Sequence, residues 1–181
     1  FRNVIPLDIN QSNFNINQKR ETKTNKIEAK LDYYYILNPK SNLNFTFGIT
    51  NVNQKFNSSI LQILDNGTQN SFNQDRLSNN DVDFNFSDAY FSFRYRFISG
   101  IFTIDPGFTI HTYKNETYQL GVLDSKSFSN IRPNMRVFIK FKDSESLRFN
   151  YGLTTQFTDV NNLARGYVFN NYNSFFRGNP Y

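Results

Sequence analysis

Strict alternation of apolar and polar side chains over residues 131–155 constrains this chain more than any other feature. Every second residue of Ile131–Phe141 is apolar, and after the polar break Asp143–Ser146 the pattern resumes over Leu147–Leu153. The intervening residues are mostly Arg, Lys and Asn. Because a period of two places alternate side chains on opposite faces of a strand, this stretch predicts a hairpin with one apolar face and one cationic, hydrated face.

The same alternation recurs upstream and predicts three hairpins. Their near ends are joined by short turns, such as Asn38–Ser41 and Ser99-Gly100, and their far ends by much longer loops. We expect the six strands at about 24–37, 42–56, 82–98, 101–113, 130–142 and 146–157, and the long loops at about 57–81, 114–130 and 158–181.

The predicted strands are long enough to cross a bilayer. They run about 11–16 residues, whereas an ordinary strand has about five or six. Eleven or twelve residues tilted by about 40° span about 25–30 Å, which is the thickness of the hydrocarbon core. The sequence therefore predicts an all-β protein, a segment of an antiparallel, up-and-down transmembrane β-barrel.

Six strands are too few for such a barrel to close, since the smallest have about eight. We therefore expect a piece of a larger barrel. The chain begins at Phe1 rather than at Met, which agrees with a processed or excised piece. The whole of residues 1–181 is expected to form this single barrel segment.

The facing of the third strand changes within the strand. Apolar residues occupy even positions over Val82–Phe86 and odd positions over Ala89–Phe97. A β-bulge near Ser87–Asp88 would produce this switch, because one extra residue reverses the facing of every residue after it. The alternative is that Val82–Phe86 lies above the membrane, where either face can be apolar.

Composition excludes several other classes of protein. Aromatic residues make up 18% of the chain, all of them Phe and Tyr, and Asn is abundant, which favours strands joined by polar loops over helices. There is no Cys, so neither a disulfide nor a thiolate metal site can form. The net charge of +5 is spread along the chain without a basic run, and we expect no nucleic-acid partner.

We expect no catalytic residue, cofactor or metal site. His111 is the only histidine, and Asp105 lies six residues away on the same strand. This separation of about 20 Å is too large for an acid–base dyad. The sequence contains none of the common motifs of serine hydrolases, zinc proteases or phosphate loops.

Six basic residues on the polar faces are candidate contacts for a substrate or for a plug domain in the barrel lumen. Two interpretations remain open. They attract anionic solutes, or they pair with Glu28, Asp32 and Asp105 or with acids of a domain absent from this chain. The six are Arg94, Arg96, Arg132, Arg136, Lys140 and Arg148.

Four tyrosines near the predicted strand tops are candidate contacts at the outer mouth. Their rings would stack on a sugar or an aromatic chelate, or they would form the aromatic girdle that outer-membrane barrels carry at the headgroup level. These residues are Tyr113, Tyr118, Tyr167 and Tyr172.

The run of residues 147–181 resembles a known family. Leu147, Phe149 and Tyr151 form a Leu-x-Phe-x-Tyr step, Leu163 follows, and the chain continues to Gly178-Asn179-Pro180. In this order and spacing these residues are similar to the barrel region of TonB-dependent receptors of Bacteroidota.

The resemblance implies a function in transport. Such receptors import large, scarce nutrients across the bacterial outer membrane, among them iron chelates, cobalamin, glycans and peptides. This chain would supply wall and outer mouth of a 22-stranded barrel, without the plug. The implied partners are outer-membrane lipid, the plug domain and the rest of the barrel, the TonB complex and a surface lipoprotein.

Two alternatives belong to other classes. A soluble β-sandwich, acting as an adhesin or a glycan-binding module, would bury the apolar face beneath a second sheet. An outer-membrane enzyme would need a Ser or an acidic residue within hydrogen-bond reach of His111. Burial of Leu31, Phe47, Phe91 and Val137 beneath another layer would contradict the membrane interpretation.

Overall fold

A computed structural model describes residues 15–64, 66–71, 78–171 and 174–178. Six long antiparallel strands form one curled sheet, which confirms the predicted fold class. Three short strands and a 3-10 helix complete the described chain. The strands are β1 (Asn15–Asn38), β2 (Ser41–Ile63), β3 (Gln69–Ser71), β4 (Asn79–Ser99), β5 (Phe102–Gln119), β6 (Val122–Lys142), β7 (Glu145–Gly152), β8 (Tyr167–Asn171) and β9 (Ser174–Arg177).

Sequential long strands are neighbours in the sheet. The order is β1-β2-β4-β5-β6-β7, with β3 paired to the end of β2, while β8 and β9 form a separate two-stranded sheet. The pairing of β2 with β4 runs without a shift from Ser41↔Phe97 to Ser59↔Asn79. The predicted bulge at Ser87–Asp88 is therefore wrong. The apolar residues change face along β4 because Val82 and Phe84 are buried on the face opposite to that of Phe91.

The strands continue well past the residues that alternate. The sequence predicted a loop at 114–130, but β5 and β6 extend through this region and are joined by a two-residue turn, Leu120-Gly121. Likewise β2 extends to Ile63 and β1 starts at Asn15. On the face that is apolar in the rest of each strand, which we call the outward face, these extensions carry mostly polar side chains. They therefore lack the alternation of apolar and polar residues that identified the rest of each strand in the sequence.

A small core lies at the end of the sheet opposite the turns that join β1 to β2, β4 to β5 and β6 to β7. The chain after β7 folds back onto one face, where the 3-10 helix Val160–Leu163 and β8 pack against the sheet. The buried apolar residues of this core are Phe56, Val82, Phe84, Val160, Leu163, Ala164 and Val168. The predicted loop at 158–181 is thus partly ordered as a helix and a small hairpin.

The other face of the sheet is bare. Leu31 is 66% exposed and Phe47 is 52% exposed, and Phe91 and Val137 lie on the same face. Among the described residues, the helix and β8 pack on the opposite face, so no second layer covers these side chains. No described helix is long and apolar enough to cross a bilayer.

We predict opposite effects for the two residues of the β5–β6 turn. Both have positive φ, 54° at Leu120 and 80° at Gly121, a region that is costly for residues with a Cβ. Gly121→Ala should destabilise the protein by about 1 kcal/mol, whereas Leu120→Gly should leave its stability unchanged or raise it. Urea unfolding of the two variants measures this difference, and a loss of stability in Leu120→Gly alone would contradict it.

Candidate functional site

The polar face of the sheet carries the charged side chains that are candidates for a functional site, and we call it the inner face. Cross-strand pairing fixes its membership, because residues on one hydrogen-bonded row share a face. One such row brings Arg96, Asp105 and Arg136 side by side on three neighbouring strands. The inner face therefore collects the basic residues that the sequence placed there, and it holds the folded-back core at its far end.

Asp105 is the centre of an arginine cluster near the short turns. Its side chain is only 5% exposed. Arg96 donates two hydrogen bonds to it, from Nε to Oδ1 at 2.8 Å and from Nη2 to Oδ2 at 2.9 Å. Arg136 lies 3.5 Å from Oδ2. This bidentate geometry holds both side chains in one orientation.

The remaining basic residues of this region have different surroundings. Arg148 lies with its guanidinium 5.3 Å from the centre of the Phe138 ring. The Nε of Arg94 is buried and has no hydrogen-bond partner among the described residues. Lys140 stands apart, since its ammonium pairs with Asp143 at 2.7 Å beside the turn.

Arg96, Arg136 and Arg148 line a cleft of about 500 Å³ on the inner face. Asp105 forms its floor, and Thr103 and Asn150 add neutral polar groups. Volumes of this order are typical of sites that hold small molecules. Of the six predicted basic residues, the structure thus brings three together in one cleft.

Further along the inner face, His111 is sandwiched between two tyrosines. Its ring centroid is 5.2 Å from that of Tyr90 and 5.2 Å from that of Tyr113, with interplanar angles of 29° and 7°. Gly48 makes room for this stack, since a Cβ there would lie 2.1 Å from the Tyr90 ring. Arg132 donates a hydrogen bond to the Tyr113 hydroxyl.

His111 has a carboxylate partner that the sequence analysis missed. Its Nδ1 lies 2.9 and 3.0 Å from the two carboxylate oxygens of Asp88 on the neighbouring strand. Asp105, the acid considered from the sequence, is bound to Arg96 instead. Extrapolating the register from the Ser99-Gly100 turn would have found Asp88, because Tyr90 pairs with His111 and Asp88 sits diagonally across.

This pair meets the geometric condition set above for an outer-membrane enzyme, since an acidic residue lies within hydrogen-bond reach of His111. The other described contacts of His111 are the faces of Tyr90 and Tyr113, and the side chains of the His–Asp pair are only 12% and 14% exposed. A histidine and a carboxylate orient each other, but catalysis also needs a nucleophile or a substrate at the second ring nitrogen. The rings of Tyr90 and Tyr113 together with the Asp88 carboxylate hold the His111 ring in one orientation.

Three of the four mouth tyrosines lie within the described residues, and these three do not form one surface. Tyr113 is fully buried on the inner face in mid-strand, so it presents no surface to a solute in this structure. Tyr118 is 50% exposed, and its position in the register puts it on the outward face. Tyr167 belongs to β8 and is half-buried. Tyr172 lies outside the described residues.

Amide side chains anchor the folded-back segment, residues 153–178, to the strands. The Oδ1 of Asn80 accepts hydrogen bonds from the Gly166 amide at 2.7 Å and from Gln119 at 3.2 Å. The Gln119 Oε1 accepts one from the Arg165 amide at 3.2 Å, and the Gln18 Oε1 accepts one from the Phe169 amide at 2.7 Å. Three strands thus bind the backbone of one segment.

Gly178 of the resemblance motif closes this segment. Its amide donates to the Ala164 carbonyl at 2.8 Å. A Cβ at Gly178 would lie 2.1 Å from the Asn162 carbonyl oxygen, so a glycine is required for this approach. The two halves of the motif, Leu163 and Gly178, are therefore neighbours in space.

We predict that Asn80→Ala releases the segment at residues 165–167. The substitution removes hydrogen bonds to Ser58, Gln119, Gly166 and the Tyr167 carbonyl, and it leaves buried donors without partners. Trypsin should then cut after Arg165 at least several-fold faster. The control is Asn79→Ala, since Asn79 is adjacent but exposed. Equal cleavage rates in both variants would contradict the proposed anchoring.

Comparison with known proteins supports the fold. No protein-family model matches the sequence, and no curated protein matches it. A solved structure, that of the ferric citrate transporter FecA in its unliganded form, matches with a TM-score of 0.54 and 16% sequence identity.

The match covers 76% of this chain and 22% of the FecA chain, so the chain spans about a fifth of the length of the transporter that it resembles. At this level of identity the likeness concerns the fold. Six long antiparallel strands form a curled half-barrel sheet that matches part of a TonB-dependent receptor barrel.

Proposed function

We propose that this chain is a wall segment of a TonB-dependent transporter in a bacterial outer membrane, which imports a large, scarce nutrient. The proposed substrates are those implied by the resemblance: an iron chelate, cobalamin, a glycan or a peptide. The observation that carries the proposal is an uncovered band of apolar side chains on the outward face of the sheet. This apolar band includes Leu31, Phe47, Phe91 and Val137.

The band is sharply bounded at its upper edge. On β2 the outward residue Ile49 is followed by Asn51, Asn53 and Lys55, and on β5 Ile110 is followed by Thr112 and Lys114. Above this edge the outward side chains are polar or charged on every long strand that extends there, apart from a few near the far end. In a soluble protein nothing would confine the exposed apolar residues to one side of a line that crosses five strands.

The edge also slopes across the strands. The first outward apolar residue of the band is Ile27 on β1 but Ile131 on β6, and Ile131 shares its row with Leu31. The edge therefore shifts by four residues over the four steps from β1 to β6. One residue of 3.3 Å per step of about 4.8 Å corresponds to a strand tilt of about 35°.

This tilt lies in the range of about 35–45° that transmembrane barrels adopt. A planar bilayer surface crossing tilted strands produces such a slope, because the rows of paired residues are perpendicular to the strands and not to the membrane. The slope follows from sequence and pairing alone, and it supports lipid as the cover of the apolar band.

The strands are longer than a bilayer needs. β1 has 24 residues, about 80 Å along the strand, whereas a membrane-spanning strand needs about 9–11 residues. The excess lies above the apolar band, where the outward residues are polar. We infer that the sheet projects from the membrane and that its upper part forms the outer mouth.

The segment belongs to a larger barrel. Within the described residues, β1 pairs on one side only and β7 pairs only with β6. An unpaired strand edge in lipid costs several kcal/mol for each lost hydrogen bond. We propose that further strands, up to 22 in total, satisfy these edges, and that a plug domain, the TonB complex and a surface lipoprotein complete the system. In this arrangement Arg94, Arg96, Arg132, Arg136, Lys140 and Arg148 line the lumen.

The β-sandwich alternative would require a second layer over the band. The described part of the chain has its folded-back core on the other face. The charge of the inner face likewise disfavours burial against a second sheet, because an unpaired buried guanidinium is costly.

We predict that an arginine in the band is costly and that one above it is tolerated. Met135 and Ser127 lie on the outward face of the same strand, Met135 within the band and Ser127 above it. In the full-length protein folded into vesicles, Met135→Arg should lower the free energy of unfolding by about 2–4 kcal/mol. Ser127→Arg should change it by less than about 1 kcal/mol. Equal effects of the two substitutions would contradict a lipid-covered band.

A further inference from the structure

We propose that the cleft formed by Arg96, Arg136 and Arg148 binds an oxyanion, a carboxylate or a phosphate group. This inference deepens the proposed function and rests on it, because it assumes that the inner face lines a lumen.

The carboxylate of Asp105 already uses most of its hydrogen-bonding capacity within the chain. Both oxygens of Asp105 accept hydrogen bonds from Arg96, and one of them also faces Arg136 at 3.5 Å. With 5% of Asp105 exposed, little of its carboxylate is left for another cation. Three guanidinium groups thus line the cleft with one carboxylate, which gives the cleft a net charge of about +2.

Arg148 is the group that an incoming anion would meet. It stacks on Phe138, and it has no hydrogen-bond acceptor among the described residues. Its planar set of N–H groups therefore remains available to a ligand. A planar fork of this kind matches the two oxygens of a carboxylate or a phosphate.

The surrounding groups hold the cleft open and in shape. The bidentate Arg96–Asp105 pair fixes one wall, and Phe138 supports the other. Asn150 and Thr103 are neutral hydrogen-bonding groups at the rim, suited to the remaining oxygens of the ligand. A volume of about 500 Å³ admits a small organic acid or a phosphate ester.

Lys140 is a basic residue of the inner face whose charge is compensated, and it serves as a comparison for the cleft. It lies on the same face and the same strand as Arg136, but it pairs with Asp143 at 2.7 Å. Its charge is thus compensated within the chain. The oxyanion itself comes from one of two sources: a free solute in the lumen, or an acidic side chain of a polypeptide that fills the lumen.

The test uses the full-length protein in detergent, with inorganic phosphate as the probe, and it compares Arg148→Gln with the control Lys140→Gln. Isothermal titration measures phosphate affinity, and thermal unfolding measures stability. Arg148→Lys serves as a second variant, because it keeps the charge but removes the planar fork, and it covers the case in which Arg148→Gln fails to fold.

A free solute as the source predicts that the parent protein and Lys140→Gln bind phosphate, that Arg148→Gln binds it at least tenfold more weakly, and that Arg148→Lys shows an intermediate affinity. An acidic side chain as the source predicts no phosphate binding by the parent protein and a lower Tm for Arg148→Gln than for Lys140→Gln. Identical affinity and Tm for the Arg148 variants and Lys140→Gln would overturn the proposal.

These outcomes are separable from failure of the transporter assignment. Phosphate affinity and Tm are measured in detergent, whereas the Met135→Arg and Ser127→Arg comparison is made in lipid. An oxyanion site without a lipid-covered band would leave the cleft in place and remove its role in transport.

Discussion

The antiparallel pairing of neighbouring strands from β2 through β4 and β5 to β6 determines nearly everything else in this structure. Because side chains alternate with a period of two, an unshifted register keeps Phe47, Phe91 and Ile110 on one face and Arg96, Asp105 and Arg136 on the other. A slip by one residue on any strand would move its arginines into the apolar band. The described shifts lie next to the turns, at Ile36/Asn38 and Lys140/Lys142, and leave the middle of the sheet intact.

The two faces of the sheet therefore differ in what stabilises their side chains. The outward face needs no internal partners if hydrocarbon covers it, and its side chains remain exposed in the isolated chain. The inner face buries polar groups, and it satisfies several of them with the Arg96–Asp105 pair, the His111–Asp88 pair and the hydrogen bonds of the Asn80 amide. This contrast explains how a chain with a mean hydropathy of −0.59 can carry a continuous apolar surface.

The sequence was informative where apolar residues of the outward face alternate with polar residues of the inner face, and it was silent where both faces are polar. Residues 131–141 identified a strand, whereas the equally regular upper halves of β5 and β6 were predicted to be a loop, because Lys114 and Ser127 give no apolar rhythm. The pairing of His111 with Asp88 and the anchoring of Gly166 by Asn80 required the register or the path of the folded-back segment, which no local pattern encodes. The facing of the six basic residues, by contrast, follows from alternation alone.

The central claim is that hydrocarbon covers the outward face, and nitroxide accessibility tests it most directly. The chain contains no cysteine of its own, so single-cysteine variants of the full-length protein in vesicles can carry a spin label at Phe47 or at Thr109. We expect the label at Phe47 to collide with oxygen and to be shielded from a water-soluble nickel reagent, and the label at Thr109 to show the reverse. Free access of the nickel reagent to the label at Phe47 would contradict the account.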